Sequence, residues 1–186
     1  MSTQPLETAI QSTRGVLAGV SSDQLGKPTP CASWTVADVI NHIVGGQYFF
    51  AASMRGEAPS GERPDFAAGD YLAAFDDGSA ACLAAFSADG AMERTVHLPF
   101  GDLPGSTVVG LAATDTFTHG WDLARATGQP SDLAPELAAG LLTGIKGSLP
   151  PGVRGPDGAA PFGPEQQAPD GASNADQLAA FLGRTV

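Results

Sequence analysis

The stretch from Ser106 to Pro130 reads STVVGLAATDTFTHGWDLARATGQP. Ser106 is a residue type that caps helices, because its hydroxyl accepts a bond from an otherwise unpaired backbone amide of the first turn. Gly128 and Pro130 stand where helices commonly stop, so the stretch predicts a helix from Ser106 to about Ala126. It carries the most polar buried-looking face in the chain. Asp115 and His119 are four residues apart, which places them on one face of this helix, one turn from each other and within reach of a common atom.

Reading outward, Leu6, Ile10, Leu17 and Val20 recur at helical spacing and predict a first helix that stops before Gly26-Lys27-Pro28. Thr35 with Asp38 three residues on is a capping signature, and Val36, Val39, Ile40, Ile43 and Phe50 form the apolar stripe of a second helix from about Val36 to Met54. His42 lies at the edge of that stripe. Leu72, Phe75, Cys82 and Phe86 mark a third helix, ended by Asp89-Gly90. Met92 to Phe100 alternates weakly and reads as an extended segment or hairpin arm, broken by PFGDLPG. A fifth amphipathic segment spans about Leu133 to Ile145. Residues 149–172 are a long Pro/Gly/Ala-rich loop. Ser173-Asn174-Ala175-Asp176 starts a short last helix containing Leu178, Phe181 and Leu182. Four longer helices with little strand predict an all-α chain: a four-helix bundle with a short hairpin and additional C-terminal helices, built as one domain over residues 1–186.

Composition narrows the partners. Of 186 residues, 42% are hydrophobic and 16% charged, the balance of a globular chain with a sizeable core. Twenty acidic residues against nine basic ones give a net charge of −11, and the nine are scattered, which argues against nucleic acid and anionic membrane surfaces as partners. No run of about 18 apolar residues is present, and the start MSTQPLETAIQS has neither a basic nor an apolar leader region. These features predict a cytoplasmic protein. Cys31 and Cys82 are too few for a disulfide framework, so no structural disulfide is expected.

Only three histidines occur, and two of them fall in predicted helices. Asp115 and His119 on the fourth helix, with His42 from the second, would supply two imidazoles and one carboxylate and leave coordination positions open. That is how catalytic zinc sites are built, and the same set suits nickel or ferrous iron. Spacing alone favours the plainer reading, a surface hydrogen-bonded Asp–His pair and a His42 satisfied in the core. Gly45 and Gly46, one turn past His42, either leave room for a ligand or allow close helix packing. Asp122 is placed to accept the second ring proton of His119 or to pair with Arg125. His97 either approaches the pocket as a proton donor or extra ligand or sits in a solvated loop, and Trp121 is core or pocket wall. Cys31 precedes a helix start, where a thiol is acidified, or belongs with Trp34 to a packing motif. Arg154 and Arg184 are candidates for holding an anionic substrate or a cofactor's carboxylate, or are solvated surface residues.

The segments CASWTVADVINHIVGG, LPFGDLPGSTVVGLAATDTFTHGWDLARATGQP and PFGPEQQAPDGASNADQLAAFLGR together resemble the mycothiol-dependent maleylpyruvate isomerase family, in its metal-binding N-terminal domain and the single-domain proteins similar to it. That family belongs to the DinB-like helical bundles. The resemblance implies a divalent metal held by His42, Asp115 and His119, with an open position facing a pocket that accepts a thiol such as mycothiol. The isomerase itself has Glu where Asp115 stands and continues into a second domain that contributes to its substrate site.

A thiol on a divalent cation loses its proton near neutral pH and becomes a nucleophile. The functional expectation is therefore a metal-dependent enzyme, zinc being the first choice of metal, that uses a low-molecular-weight thiol for S-transfer to, or isomerisation of, a small electrophile. The alternative is a helical protein that binds a metal or small ligand without turning it over. A homodimer is left open.

Overall fold

The computed structural model describes residues 2–57, 64–149, 152–156 and 159–186. Six helices and one hairpin follow in order: α1 (Gln4–Ala18), α2 (Val36–Arg55), α3 (Tyr71–Phe86), β1 (Thr95–Leu98), β2 (Gly101–Pro104), α4 (Gly105–Thr127), α5 (Pro135–Lys146) and α6 (Asn174–Phe181). Helices α1 to α4 form the bundle: α4 packs on α1 and α2, and α3 packs on α2 and α1. Helices α5 and α6 pack on each other and close the side of α4 that the bundle leaves uncovered.

Helix α2 begins where the capping signature places it. The Thr35 hydroxyl accepts from the Asp38 amide at 3.3 Å, and the Asp38 carboxylate accepts from the Thr35 amide at 2.9 Å, so two unpaired donors of the first turn are satisfied reciprocally. Gly56, at φ +72°, turns the chain out of the helix. Ser173 caps α6 in a similar way, accepting from the Asp176 amide at 3.1 Å.

Four boundaries differ from the sequence reading, the first being the extended segment, whose strand covers Thr95–Leu98 and not Met92 to Phe100. Helix α1 ends at Ala18, and the chain up to Gly26 is taken by a short 3-10 turn at Ser22–Gln24, although Val20 is still buried. Helix α5 starts two residues later than expected, at Pro135, whose fixed φ suits a first turn. Ser106 does not cap α4. The helix starts at Gly105, because the turn before β1 supplies the acceptors: the Gly105 amide donates to Arg94 O at 2.9 Å and the Ser106 amide to Met92 O at 2.8 Å. A side-chain cap is redundant there.

The hairpin pairs β1 with β2 antiparallel, with Val96 opposite Leu103 and His97 opposite Asp102. Val96 and Leu98 face the core, while Thr95 and His97 face out. Of the long loop 149–172, residues 150, 151, 157 and 158 lie outside the described residues. The remainder holds no helix or strand and is pinned by Arg154, whose Nη1 donates to Phe181 O at 2.7 Å and to Gly163 O at 3.0 Å. Arg154 staples loop to α6 and does not face the metal-ligand candidates.

The core runs the length of α4. Residues 116–124 are all buried, because α1 and α2 cover one side and α5 and α6 the other. Helix α1 comes closest at Gly120, where an added Cβ would stand only 2.3 Å from Thr13 Oγ1. The Thr13 hydroxyl donates to the Thr116 carbonyl at 2.9 Å, using the same close approach. Among the described residues no disulfide forms, and no helix is long and apolar enough to cross a membrane.

Candidate metal centre

His42 comes from α2, whose apolar stripe fixes the helix's roll against α4 and turns position 42 toward it. Asp115 and His119 come from α4, one turn apart. His42 Nε2 lies 3.1 Å from Asp115 Oδ1, and His119 Nε2 lies 3.7 Å from the same oxygen. One ligand atom from each of the three lies within 4.8 Å of the others, and the two imidazoles meet edge to face at 4.6 Å between centroids. Metal–nitrogen and metal–oxygen bonds of about 2.0–2.1 Å in a tetrahedron put neighbouring ligand atoms about 3.3 Å apart. The two distances to Asp115 Oδ1, 3.1 and 3.7 Å, bracket that figure, which makes the three side chains a candidate ligand set for one divalent cation.

The site is graded in exposure. The His119 side chain is 10% exposed, Asp115 30% and His42 35%, so the cluster opens to solvent on the His42 side. Gly46 keeps that side clear, since a Cβ there would sit 3.6 Å from Asp115 Oδ2 and anything longer would meet the carboxylate. Gly45 instead faces Phe66, 3.9 Å from its ring, and serves packing. Loss of solvent pushes the Asp115 carboxyl up, but the charge and hydrogen bond of His42, with the charges of His119 and Arg184, more than offset this and hold it below the usual carboxylate range. Asp115 is therefore anionic at neutral pH, as a ligand must be.

Behind the site, His119 Nδ1 donates to Asp122 Oδ2 at 2.9 Å, which leaves Nε2 facing His42 and Asp115. Asp122 is fully buried, and its partner beyond His119 is Arg184, with Nη2 to Oδ2 at 2.9 Å and Nε to Oδ1 at 3.3 Å. Arg125, the partner suggested by spacing, lies instead over the Trp121 ring at 5.5 Å. Burial pushes the Asp122 carboxyl up, and Arg184 and His119 bring it net below its ordinary value.

Two residues of the loop before α2 complete the surroundings. The Trp34 ring stands 4.7 Å from the His42 ring and is stacked 5.3 Å from that of His119, forming an aromatic wall. Cys31 Sγ groups with His119 and Asp122 within 4.8 Å. The Asp122 oxygens in that second group are already committed to a guanidinium, which disfavours a cation there.

The other sequence candidates fall elsewhere. His97 is on the exposed hairpin face, its Nδ1 2.8 Å from Asp102 Oδ1. Trp121 is buried core, its indole donating to Asp176 Oδ1 at 2.9 Å. Arg184 is neither at the surface nor open to a ligand: it is buried against Asp122. Its partner lies 62 residues away in the chain, a separation that no local spacing relates.

A family model described as the mycothiol maleylpyruvate isomerase N-terminal domain matches residues 6–124. The chain belongs to this family. The matched region runs from α1 through nearly all of α4 and so contains His42, Asp115, His119 and Asp122, but not Arg184. Two Mycobacterium tuberculosis proteins, from strains CDC 1551 / Oshkosh and ATCC 25618 / H37Rv, are each 44% identical over 171 residues, covering 92% of this chain and 91% of theirs. Both are described as uncharacterized. Crystal structures of the mycothiol-dependent maleylpyruvate isomerase share the fold at 17% identity. One gives a TM-score of 0.56 over 65% of this chain and 58% of its own. A histidine-to-alanine variant of that enzyme gives 0.60 over 75% and 68%. The chain thus spans less than two thirds of the first of these structures.

Proposed function

We propose that this family member is a divalent-metal-dependent enzyme that uses a low-molecular-weight thiol, of the mycothiol type, for S-transfer to or isomerisation of a small electrophile. The observation that carries the reading is the convergence of His42, Asp115 and His119 at the spacing of one coordination sphere, open to solvent on one side. The open side supports a catalytic site over a closed structural one. Two nitrogens and one oxygen suit zinc, and also nickel or ferrous iron.

A divalent cation bound there supplies a lowered thiol pKa, so that thiolate is available at neutral pH. The chain's own residues do the rest. Asp115 contributes the negative charge, His119 is held with Nε2 forward by Asp122, and His42 completes the set from the exposed side. Trp34 walls the site above both imidazoles and gives a thiol's carbon skeleton or a planar electrophile a face to lie against. In S-transfer, the sulfur–carbon bond forms at an activated double bond and the thiol's proton ends on the neighbouring carbon. In isomerisation, the same addition is followed by rotation and elimination, which returns the thiol.

The test is consumption of mycothiol by the zinc-loaded protein with a panel of activated alkenes, maleylpyruvate among them, and epoxides. Maleylpyruvate isomerisation, which returns the thiol, is followed separately. The reading predicts turnover that is abolished by chelation and by His119→Ala, with helical content unchanged. A loaded protein that binds the thiol yet turns over no member of the panel would make it a binding protein instead.

A further inference from the structure

We infer that Arg184, two residues before Val186, is a positioning residue for the metal-ligating imidazole of His119, acting through Asp122; this rests on the metal-site reading above. The C-terminal segment grips α4 directly behind the site. Adjacent residues of α4, Trp121 and Asp122, each receive a partner from it: Asp176 accepts from the Trp121 indole at 2.9 Å, and Arg184 closes on Asp122 with two bonds.

The arrangement is built for orientation. Arg184 is 7% exposed and Asp122 fully buried, so neither oxygen of Asp122 exchanges its partners for water. A carboxylate held on both oxygens by a planar guanidinium cannot rotate, and the edge it presents to His119 Nδ1 is thereby fixed. The guanidinium is itself fixed, its Nη1 donating to Leu182 O at 3.2 Å and its backbone amide to Ala179 O at 3.0 Å. Gly183, at φ +95°, makes the turn that sends Arg184 inward, and a Cβ there would run into the Gly163 backbone at 2.5 Å. The loop, the end of α6 and the last residues therefore share one anchor, and that anchor bears on a metal ligand. Since the family match stops at residue 124, this support is supplied from outside the matched region.

The experiment uses the full chain as wild type, Arg184→Met, Arg184→Lys, Asp122→Asn and the double variant Arg184→Met/Asp122→Asn. The last removes both members of the buried pair and leaves no uncompensated charge, which keeps a folded comparison in hand. In the metal-free protein, the His119 Nδ1 proton is followed by proton–nitrogen NMR. A protected signal is expected in wild type, lost in Arg184→Met and only partly recovered in Arg184→Lys, whose ammonium keeps the charge but cannot hold both oxygens. Zinc affinity, measured by competition with a chromophoric chelator, should fall about 10- to 100-fold in Arg184→Met. It should fall no further when Arg184→Met is added to Asp122→Asn, because the effect passes through that carboxylate. A folded Arg184→Met that keeps both the Nδ1 signal and wild-type zinc affinity overturns the inference, as does a loss fully additive to that of Asp122→Asn. A wild type whose Nδ1 signal depends on Arg184 but which takes up no zinc supports the positioning role and overturns the metal reading.

Discussion

Trp34 stacks beside His119 and flanks His42, while Trp121, the other of two tryptophans, is sealed in the core. Co²⁺ entering the site should therefore quench Trp34 fluorescence, and Trp34→Phe should abolish the quench while elemental analysis still finds the metal. The two thiols should differ as clearly. Cys82 is buried and its thiol is pushed up to about 12 by burial, whereas Cys31 is partly exposed. Alkylation at pH 8 should label Cys31 in the native protein and Cys82 only in denaturant. Because the folded value of Cys82 lies above the unfolded one of about 8.5, the stability it confers is complete below that pH and is lost as pH rises toward the folded value. The alkaline fall in urea midpoint should accordingly be smaller in Cys82→Ala. His42, Asp115 and His119 were readable as a set because helical period relates positions four apart and histidine is scarce here. Spacing alone did not separate a metal site from a surface pair; convergence of two helices did. Trp34, Cys31 and Arg184 carry no such local signal, since their relation to His119 exists only once loop, bundle and C-terminus are assembled.

Helix starts and helix contacts explain which elements were readable. The capping signatures at Thr35 and Ser173 are local chemistry, and both helices begin beside them. Ser106 has the same chemistry, but the carbonyls of Arg94 and Met92, in the turn before β1, took its place, and no local rule anticipates acceptors from another part of the chain. Thr35→Ala should cost about 1 kcal/mol. Ser106→Ala should cost less, since its hydroxyl caps nothing, as equilibrium urea denaturation would show. Gly120 is set by the approach of α1 and α4. A methyl group there meets Thr13 Oγ1 at 2.3 Å, so Gly120→Ala should destabilise by about 1–3 kcal/mol despite the better helix propensity of Ala. Relief by Thr13→Ala in the same background, with less from Thr13→Ser, which keeps the hydroxyl, would locate the clash at that contact.

At the scale of the whole molecule, the candidate centre ties together parts of the chain far apart in sequence: α2, α4 and, through Asp122, the C-terminal segment. A ligand that binds only the folded state stabilises it in proportion to its excess over Kd, by about 2.7 kcal/mol at a hundredfold excess. Zinc should therefore raise the thermal midpoint, and hydrogen exchange should slow in α6 as well as around His119, because Arg184 links them. The bundle was readable from periodicity because apolar stripes report which face is buried; the closure of α5 and α6 over α4 was not, because it depends on contacts between segments that carry no shared pattern. The most direct measurement is metal content by elemental analysis of protein purified without an affinity tag, beside His42→Ala and His119→Ala variants of unchanged helical content. The account predicts about one equivalent of a divalent metal in wild type, as one three-ligand site requires, and its loss in both variants. Wild-type protein that neither carries nor takes up a divalent ion, or variants that retain a full equivalent, would contradict it.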